Sequence, residues 1–322
     1  MPQMRLPPNI NVATEVRLPD SFTHRALQVQ LVRFWRSHCQ VRGAEHDLIA
    51  AQERYETFCH SFLQKLPAVF ALLPDKQIDE HLPNLPMQRQ QLHNSIYEYL
   101  CWNFRQALLP KPEEINCMPQ YKRMMISHNQ RALAVAALRL LQGVITLRTM
   151  MGTPHTCFSG IIVPTFEAAV PLLSLCADPT FPGVASQSWA PKATKMDLLG
   201  PHLSSVTKAE CMQAARDAAK TLQTLAEVST MADLGARTLS SLVSRVDELQ
   251  DSTAQVYDTP RGEPEHWELE TMRKLGTGGS QIKFPFVANG GNEAAQSWDD
   301  MLRDLTGTFG FGKLDSITSE DL

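Results

Sequence analysis

The sequence lacks an excess of basic charge. Its 322 residues include 30 Lys and Arg against 34 Asp and Glu, which leaves a net charge of −4. Proteins that hold nucleic acid through the phosphates carry a basic stripe or domain. We therefore expect no direct nucleic acid contact from this chain alone.

Long hydrophobic runs and paired cysteines are also missing. No stretch approaches the roughly 18 consecutive apolar residues of a membrane span, and the first 16 residues contain no apolar signal segment. The seven cysteines lie singly along the chain, and no two are three residues apart. Such spacing is typical of reduced intracellular thiols. The sequence predicts a soluble intracellular protein with no membrane association.

Motifs of catalysis are absent too. The chain has no G-x-S-x-G elbow, no H-E-x-x-H zinc helix and no phosphate-binding loop. The pairs His38-Cys39 and Cys59-His60 contain zinc-ligand types, but adjacent residues on a helix diverge, so packing of Cys59 beside its aromatic neighbours is the favoured interpretation. We predict no catalytic residue, no metal site and no cofactor.

Helical periodicity is what the sequence has in abundance. Apolar residues recur at helical spacing over about residues 44–66, 86–109 and 120–150, and the third of these helices is Ala- and Leu-rich enough to lie at the centre of the fold. A further helix is predicted from Pro164, with a kink at Pro171. The run Ile161 to Val163 is strand-like but too short for a sheet.

Two more helices follow a proline-rich connection over residues 178–201. Thr207 and Glu210 form a predicted capping box. In the last helix the apolar residues have a 4-3-4-3 spacing that suits an antiparallel helix partner or a short coiled coil; they are Gly235, Leu239, Leu242, Val246 and Leu249. The predicted fold is all-α, an irregular multi-helix bundle with a flexible acidic C-terminal tail. Its predicted parts are an irregular segment at 1–20, a helical domain at 21–250 and the tail at 251–322.

The end of the tail carries the whole charge imbalance. From Trp298 to Leu322 there are six acidic and two basic residues, while the remainder of the chain is neutral. Acidic residues are interleaved there with apolar ones, as in disordered activation segments that dock into a coactivator as a short helix. The predicted partner-binding residues are Trp298, Asp299, Asp300, Leu302 and Leu305. A solubilising terminus, or a segment that docks onto its own domain, is the alternative.

One pattern resembles a known family. The features are Tyr55 and Phe58 on a helix that exits at Leu66-Pro67, then Pro83-x-Leu85-Pro86 leading into the helix from His93 to Phe104. Together with the Ala-rich helix and the segment Pro164 to Val170, they resemble the middle homology region of fungal binuclear zinc-cluster transcription factors. The likeness covers roughly residues 21 to 180.

The resemblance implies a helical regulatory domain that controls pathway genes, including those of specialised-metabolite clusters. In that family an N-terminal six-cysteine module binds zinc and reads DNA. The chain shows no such module, so the expected role is that of a regulator without its own zinc cluster. The resemblance also implies a nuclear location, with the cytoplasm as the alternative. It implies coactivator or transcription-factor proteins as partners, and homo- or heterodimers of the chain. The rival hypothesis is a helical enzyme or small-ligand binder with a pocket near Tyr97, His128 and His155.

Overall fold

The computed structural model describes residues 22–38, 48–74, 76, 79–108, 110, 112–152, 159–182 and 197–257. The chain divides into two units, Met1–Thr253 and Ala254–Leu322, and the fold given below is that of the first. Among the described residues there is no strand. The all-α prediction is therefore confirmed.

The helices follow one another in a simple order. They are α1 Thr23–His38, α2 Leu48–Ser61, α3 Leu85–Phe104, α4 Pro112–Cys117, α5 Gln120–Met151, α6 Ser159–Ala177, α7 Gly200–Leu203, α8 Lys208–Leu225 and α9 Thr230–Tyr257. Short 3-10 turns at Leu63–Lys65, Ala68–Phe70 and Arg105–Leu108 extend or join them. The predicted domain boundary at residue 250 stays a prediction, although α9 continues to Tyr257.

The predicted central helix is α5. Every residue from Asn129 to Ala137 is buried. The helices α3 and α6 pack on it, and α8 packs on α6. At Gly143 a Cβ atom would meet the side chains of Asn94 and Gln90 on α3, so the absence of a side chain lets α3 and α5 approach closely.

In the part of the chain that the structure describes, two helices are long and apolar enough, by length and composition alone, to cross a membrane: α5 and the part of α6 from Gly160 to Ala177. Of their most apolar windows, 56% and 72% of the residues are buried inside the fold. That burial is what the core helices of a water-exposed protein show, because they are covered by neighbouring helices on most sides.

An aromatic cluster joins α1, α2 and α3. The rings of Trp35 and Tyr99 stack with their centroids 5.8 Å apart, and Phe58 lies 5.2 Å from both Trp35 and Phe62. Cys59 is buried as well, and its packing beside the aromatic rings stays a prediction. The apolar stripes of the first two helices thus pack on α3 within one chain.

The start of α6 corrects the sequence prediction. The helix begins at Ser159, so the run Ile161 to Val163 is helical and the strand-like interpretation was wrong. Pro164 lies inside the helix and not in its first turn. An interior proline removes one backbone hydrogen bond, but residues 161–166 are all buried. Burial of the apolar side chains stabilises the helix by more than the lost hydrogen bond destabilises it, so the helix extends past the proline on its N-terminal side.

The last helix has the predicted antiparallel partner, and the threonine half of the predicted capping box is present at the start of α8. The Thr207 hydroxyl accepts a hydrogen bond from the backbone N–H of Glu210 at 3.1 Å. A Cβ at Gly235 would lie 3.0 Å from the Leu222 side chain, and Arg216 pairs with Asp247 at 2.6 Å. These contacts join opposite ends of the two helices, so α9 runs antiparallel to α8.

The apolar face of α9 therefore packs against other helices of the same chain. Leu239, Leu242 and Val246 are buried, while Leu249 is 39% exposed. The same spacing that suits a coiled coil is thereby explained by an intrachain partner. Dimer formation stays a prediction and gains no support from this face.

Candidate functional site

A groove between α5, α7 and α8 is the main candidate for a binding site. It has a volume of about 450 Å³, within the range of roughly 300–1,000 Å³ common for small-molecule sites. Its apolar lining includes Val135, Leu138, Leu141, Val144, Ile145, Val206, Ala214 and Ala218. Its polar and charged lining includes Arg139, Gln142, His202, Glu210, Gln213 and Asp217. The groove is therefore lined by about as many polar as apolar side chains, and the polar ones can orient a ligand.

One wall of the groove is formed by a contact between α5 and α7. The Arg139 Nη2 atom lies 2.6 Å from His202 Nε2. A guanidinium group can only donate hydrogen bonds, so in this contact Arg139 is the donor and His202 Nε2 the acceptor.

The position of α7, and hence of His202, is set by Asp197. Its Oδ1 atom accepts hydrogen bonds from the Tyr55 hydroxyl at 2.8 Å and from the backbone N–H of Gly200 at 2.8 Å. The Tyr55 hydroxyl in turn accepts the N–H of Leu199 at 2.9 Å. Burial raises the pKa of Tyr55, so its hydroxyl stays protonated and remains a donor. A helix of four residues is thus anchored to α2.

The chain that leaves α6 is anchored nearby, on α5. Arg131 Nε donates to the Pro182 carbonyl at 2.7 Å, and the Ser127 hydroxyl donates to the same oxygen at 3.4 Å. His128 lies on this part of α5; burial lowers its pKa, while the negative charge of Asp197 acts in the opposite direction. We call Tyr55, His128, Arg131 and Asp197 the anchor cluster.

A second electrostatic feature lies between α3 and α6. Burial and the neighbouring Glu167 carboxylate raise the pKa of Glu98 to about 7. Burial also raises the pKa of Glu167, with the charge of Arg105 opposing it. Cys101 lies near both acids, and its pKa is raised by burial first and by Glu98 next. Glu98 and Glu167, both with raised pKa values, thus lie near each other between α3 and α6. No sequence motif predicted this pair.

The residues singled out from the sequence meet different outcomes. Tyr97 and His128 do not line the groove, and His155 lies outside the described residues, so the pocket of the rival hypothesis stays a prediction. The predicted partner-binding residues Trp298, Asp299, Asp300, Leu302 and Leu305 also lie outside the described residues. Within the described ranges no three His, Cys, Asp or Glu side chains are grouped to hold a metal ion.

The groove residues were missed by sequence reasoning. The available signal was the polar pair Arg139 and Gln142, three residues apart in the otherwise apolar middle of α5. Residues at that spacing share one face of a helix. Nothing in the sequence indicated that Asp197, at the end of a proline-rich connection, would fix the opposite wall.

Comparison with known proteins finds two curated relatives. The chain is 40% identical over 249 residues to "Transcription factor xilB" of Penicillium rubens. This alignment covers 76% of the chain and 36% of that protein. The chain is also 34% identical over 301 residues to "Probable transcription factor sol4" of Alternaria solani. That alignment covers 89% of the chain and 53% of the relative. The chain is homologous to part of these fungal transcription factors.

This homology confirms the resemblance at the level of fungal transcription factors. The names of the two relatives do not mention a zinc cluster, so that part of the resemblance stays a prediction. The chain spans about a third to a half of the length of these curated relatives. No family model and no solved structure matches the chain.

Proposed function

We propose that the chain is a regulatory region of a fungal transcription factor and that it controls the transcription of pathway genes. The similarity to two named transcription factors along most of its length supports this function. A specialised-metabolite cluster is the proposed class of target. The chain would act in the nucleus, through coactivator or other transcription-factor proteins.

The proposed activating element is the acidic and apolar segment that contains Trp298, Leu302 and Leu305. These three residues are spaced i, i+4 and i+7, which places them on one face of a helix if the segment becomes helical on binding. The acidic residues between them keep the segment solvated before it binds.

A reporter assay tests this function with the full chain. The chain is fused to a heterologous DNA-binding domain, and we expect reporter output above that of the DNA-binding domain alone. Replacement of Trp298, Leu302 and Leu305 by alanine should reduce the output, whereas replacement of Ser316 and Thr318 by alanine, in the same tail, should not. Equal output from the fusion and the bare DNA-binding domain would contradict the activating role.

Location and promoter association provide a separate test. Chromatin immunoprecipitation of the tagged protein in a filamentous fungus should enrich a small set of promoters, and fluorescence should be nuclear. Cytoplasmic staining with no promoter enrichment would argue against transcriptional control.

The groove favours a second function, the binding of a small molecule that regulates the first. We expect native mass spectrometry of the full chain, purified from a filamentous fungus, to show a mass excess that disappears on denaturation. Arg139→Ala should remove the excess, and Arg148→Ala, on the same helix but outside the groove, should retain it. A wild-type protein without bound mass would contradict this function.

A further inference from the structure

The charged side chains that line the groove lie on different walls. Arg139 belongs to α5, whereas Glu210 and Asp217 belong to α8. The two acidic residues are seven positions apart, a spacing that places them on the same face of a helix. None of the ion pairs among the described residues joins Arg139 to either acid. A ligand in the groove therefore meets a positive charge on one wall and negative charges on the other.

Arg139 is positioned to receive an anionic group. Its Nη2 atom donates to His202 Nε2 at 2.6 Å, and this is its one side-chain hydrogen bond within the described ranges. A guanidinium group has five N–H donors in a planar fork, so enough donors remain to hold a carboxylate through two parallel hydrogen bonds. Because the contact with His202 already restrains the long side chain, less conformational entropy is lost when a ligand binds.

Glu210 provides the opposite charge. The neighbouring Asp217 already accepts a hydrogen bond from Gln213 at 3.0 Å and lies 3.6 Å from the Lys220 ammonium group. The Glu210 carboxylate takes part in no ion pair in the part of the chain that the structure describes. An ammonium group on a ligand would therefore be stabilised most by Glu210, because the charge of Asp217 is already partly balanced.

The buried part of the lining is apolar. Its members are Val135, Leu141, Val144, Val206 and Ala218, together with one threonine, Thr165. The Thr165 hydroxyl donates to the Ile161 carbonyl at 2.6 Å within α6, so its hydrogen is not available to a ligand. The groove volume of about 450 Å³ is far larger than a single ion needs and suits an organic molecule. The groove thus favours a ligand with a hydrocarbon body and charged ends.

We propose that the groove binds an amino acid with an apolar side chain, with the carboxylate on Arg139 and the ammonium group on Glu210. This inference rests on the proposed binding function of the groove and adds the chemical class of the ligand. The apolar side chain of the ligand lies against the buried part of the lining and displaces water from it. A ligand that carries only one of the two charges leaves the charge of the other wall unpaired.

Isothermal titration calorimetry of the full chain tests the two charges separately. The chain is dialysed until its native mass spectrum shows no bound mass, and four amino acids are titrated: leucine, methionine, phenylalanine and tryptophan. The tightest binder is then compared with its N-acetyl derivative, which has no ammonium group, and with its amide, which has no carboxylate. We expect each derivative to bind at least about tenfold more weakly, because one charge-assisted contact is lost.

Charge variants assign each end of the ligand to its residue. Arg139→Gln should remove the preference for the amino acid over its amide and retain the preference over the N-acetyl derivative, and Glu210→Gln should do the reverse. A residue that only maintained the fold would weaken all three ligands alike. Arg148→Gln and Glu227→Gln lie outside the groove and should bind all three ligands as the wild type does.

Two results would overturn the proposal. One is the same affinity for the amino acid and both derivatives, or no binding heat from any of the four amino acids. The other is a bound mass on the fungal protein whose released compound lacks an amine or a carboxylate. In that second case the binding function of the groove still stands, whereas a chain with neither a bound mass nor a response to any probe would refute that function as well.

Discussion

Replacing Glu98 by glutamine should change the pH dependence of stability. Glu98 lies close to Glu167 between α3 and α6, and its pKa rises from 4.5 to about 7 on folding. Between these two values the folded state binds more protons than the unfolded state. Stability therefore falls as the pH rises through this range, because folding then places a charged carboxylate in a buried region beside a second acid.

The size of the effect follows from the same two pKa values. Each pKa unit corresponds to about 1.4 kcal/mol, so the buried carboxylate lowers the free energy of unfolding by up to about 3 kcal/mol once the pH is well above 7. Glutamine has nearly the same shape and no charge to lose. We expect Glu98→Gln and the wild type to be about equally stable near pH 5, with the variant more stable by up to about 3 kcal/mol near pH 8.

Urea unfolding followed by circular dichroism measures this difference at constant ionic strength. Glu227→Gln, at an exposed position in the turn between α8 and α9, controls for the substitution itself. Glu167→Gln removes the neighbouring charge and should shift the midpoint of the Glu98 effect to lower pH. A stability difference between Glu98→Gln and the wild type that is the same at both ends of the pH range would refute the reasoning.

Three further substitutions should lower the free energy of unfolding, each measured by urea denaturation at neutral pH. Arg89→Ala removes the bidentate partner of Asp79, 2.6 and 3.1 Å away, and the donor to the Val69 carbonyl oxygen at 2.6 Å, and should cost about 1–3 kcal/mol because these acceptors lose their donor; an unchanged free energy of unfolding would contradict this. Gly143→Ala places a methyl group against the ends of the Asn94 and Gln90 side chains and should cost about 1–3 kcal/mol, whereas no loss would mean that these side chains rotate aside. Tyr55→Phe removes the hydroxyl of the anchor cluster and should cost about 1–3 kcal/mol; an unchanged free energy would show that the anchor does not hold α7.

The central helices could be predicted because their signal is local. The apolar repeat of α5 predicted residues 120–150, and the helix spans Gln120–Met151. The N-cap of α8 was equally readable, because the hydroxyl of Thr207 and the backbone N–H it accepts are three residues apart. Features of this kind depend on residues within one or two helical turns of each other, so they can be predicted from the sequence alone.

The start of α6 could not be predicted in the same way. Pro164 favours the first turn of a helix, and that local preference placed the start too late. The actual start at Ser159 depends on the burial of Ile161 and Phe166 by other helices. Such burial depends on residues that are distant in the sequence, so it cannot be predicted from the local sequence around Pro164.

The binding groove shows the same limit more strongly. His202 reaches Arg139 because Asp197 anchors α7 to a tyrosine 142 residues earlier in the chain. The two walls of the groove lie on different helices, so neither wall can be recognised from its own stretch of sequence.

The position of α5 affects how variants of this protein must be interpreted. This helix carries one wall of the groove through Gln142, part of the anchor cluster through Arg131, and the close approach to α3 through Gly143. Gln142 and Gly143 are adjacent, so a methyl group that moves α5 away from α3 also moves the wall of the groove. Effects at such neighbouring positions are not additive. A loss of ligand binding in Gly143→Ala would therefore reveal nothing about the groove itself, whereas Arg139→Ala removes a side chain that lines the groove and adds no atom between α3 and α5, so it is the more direct test.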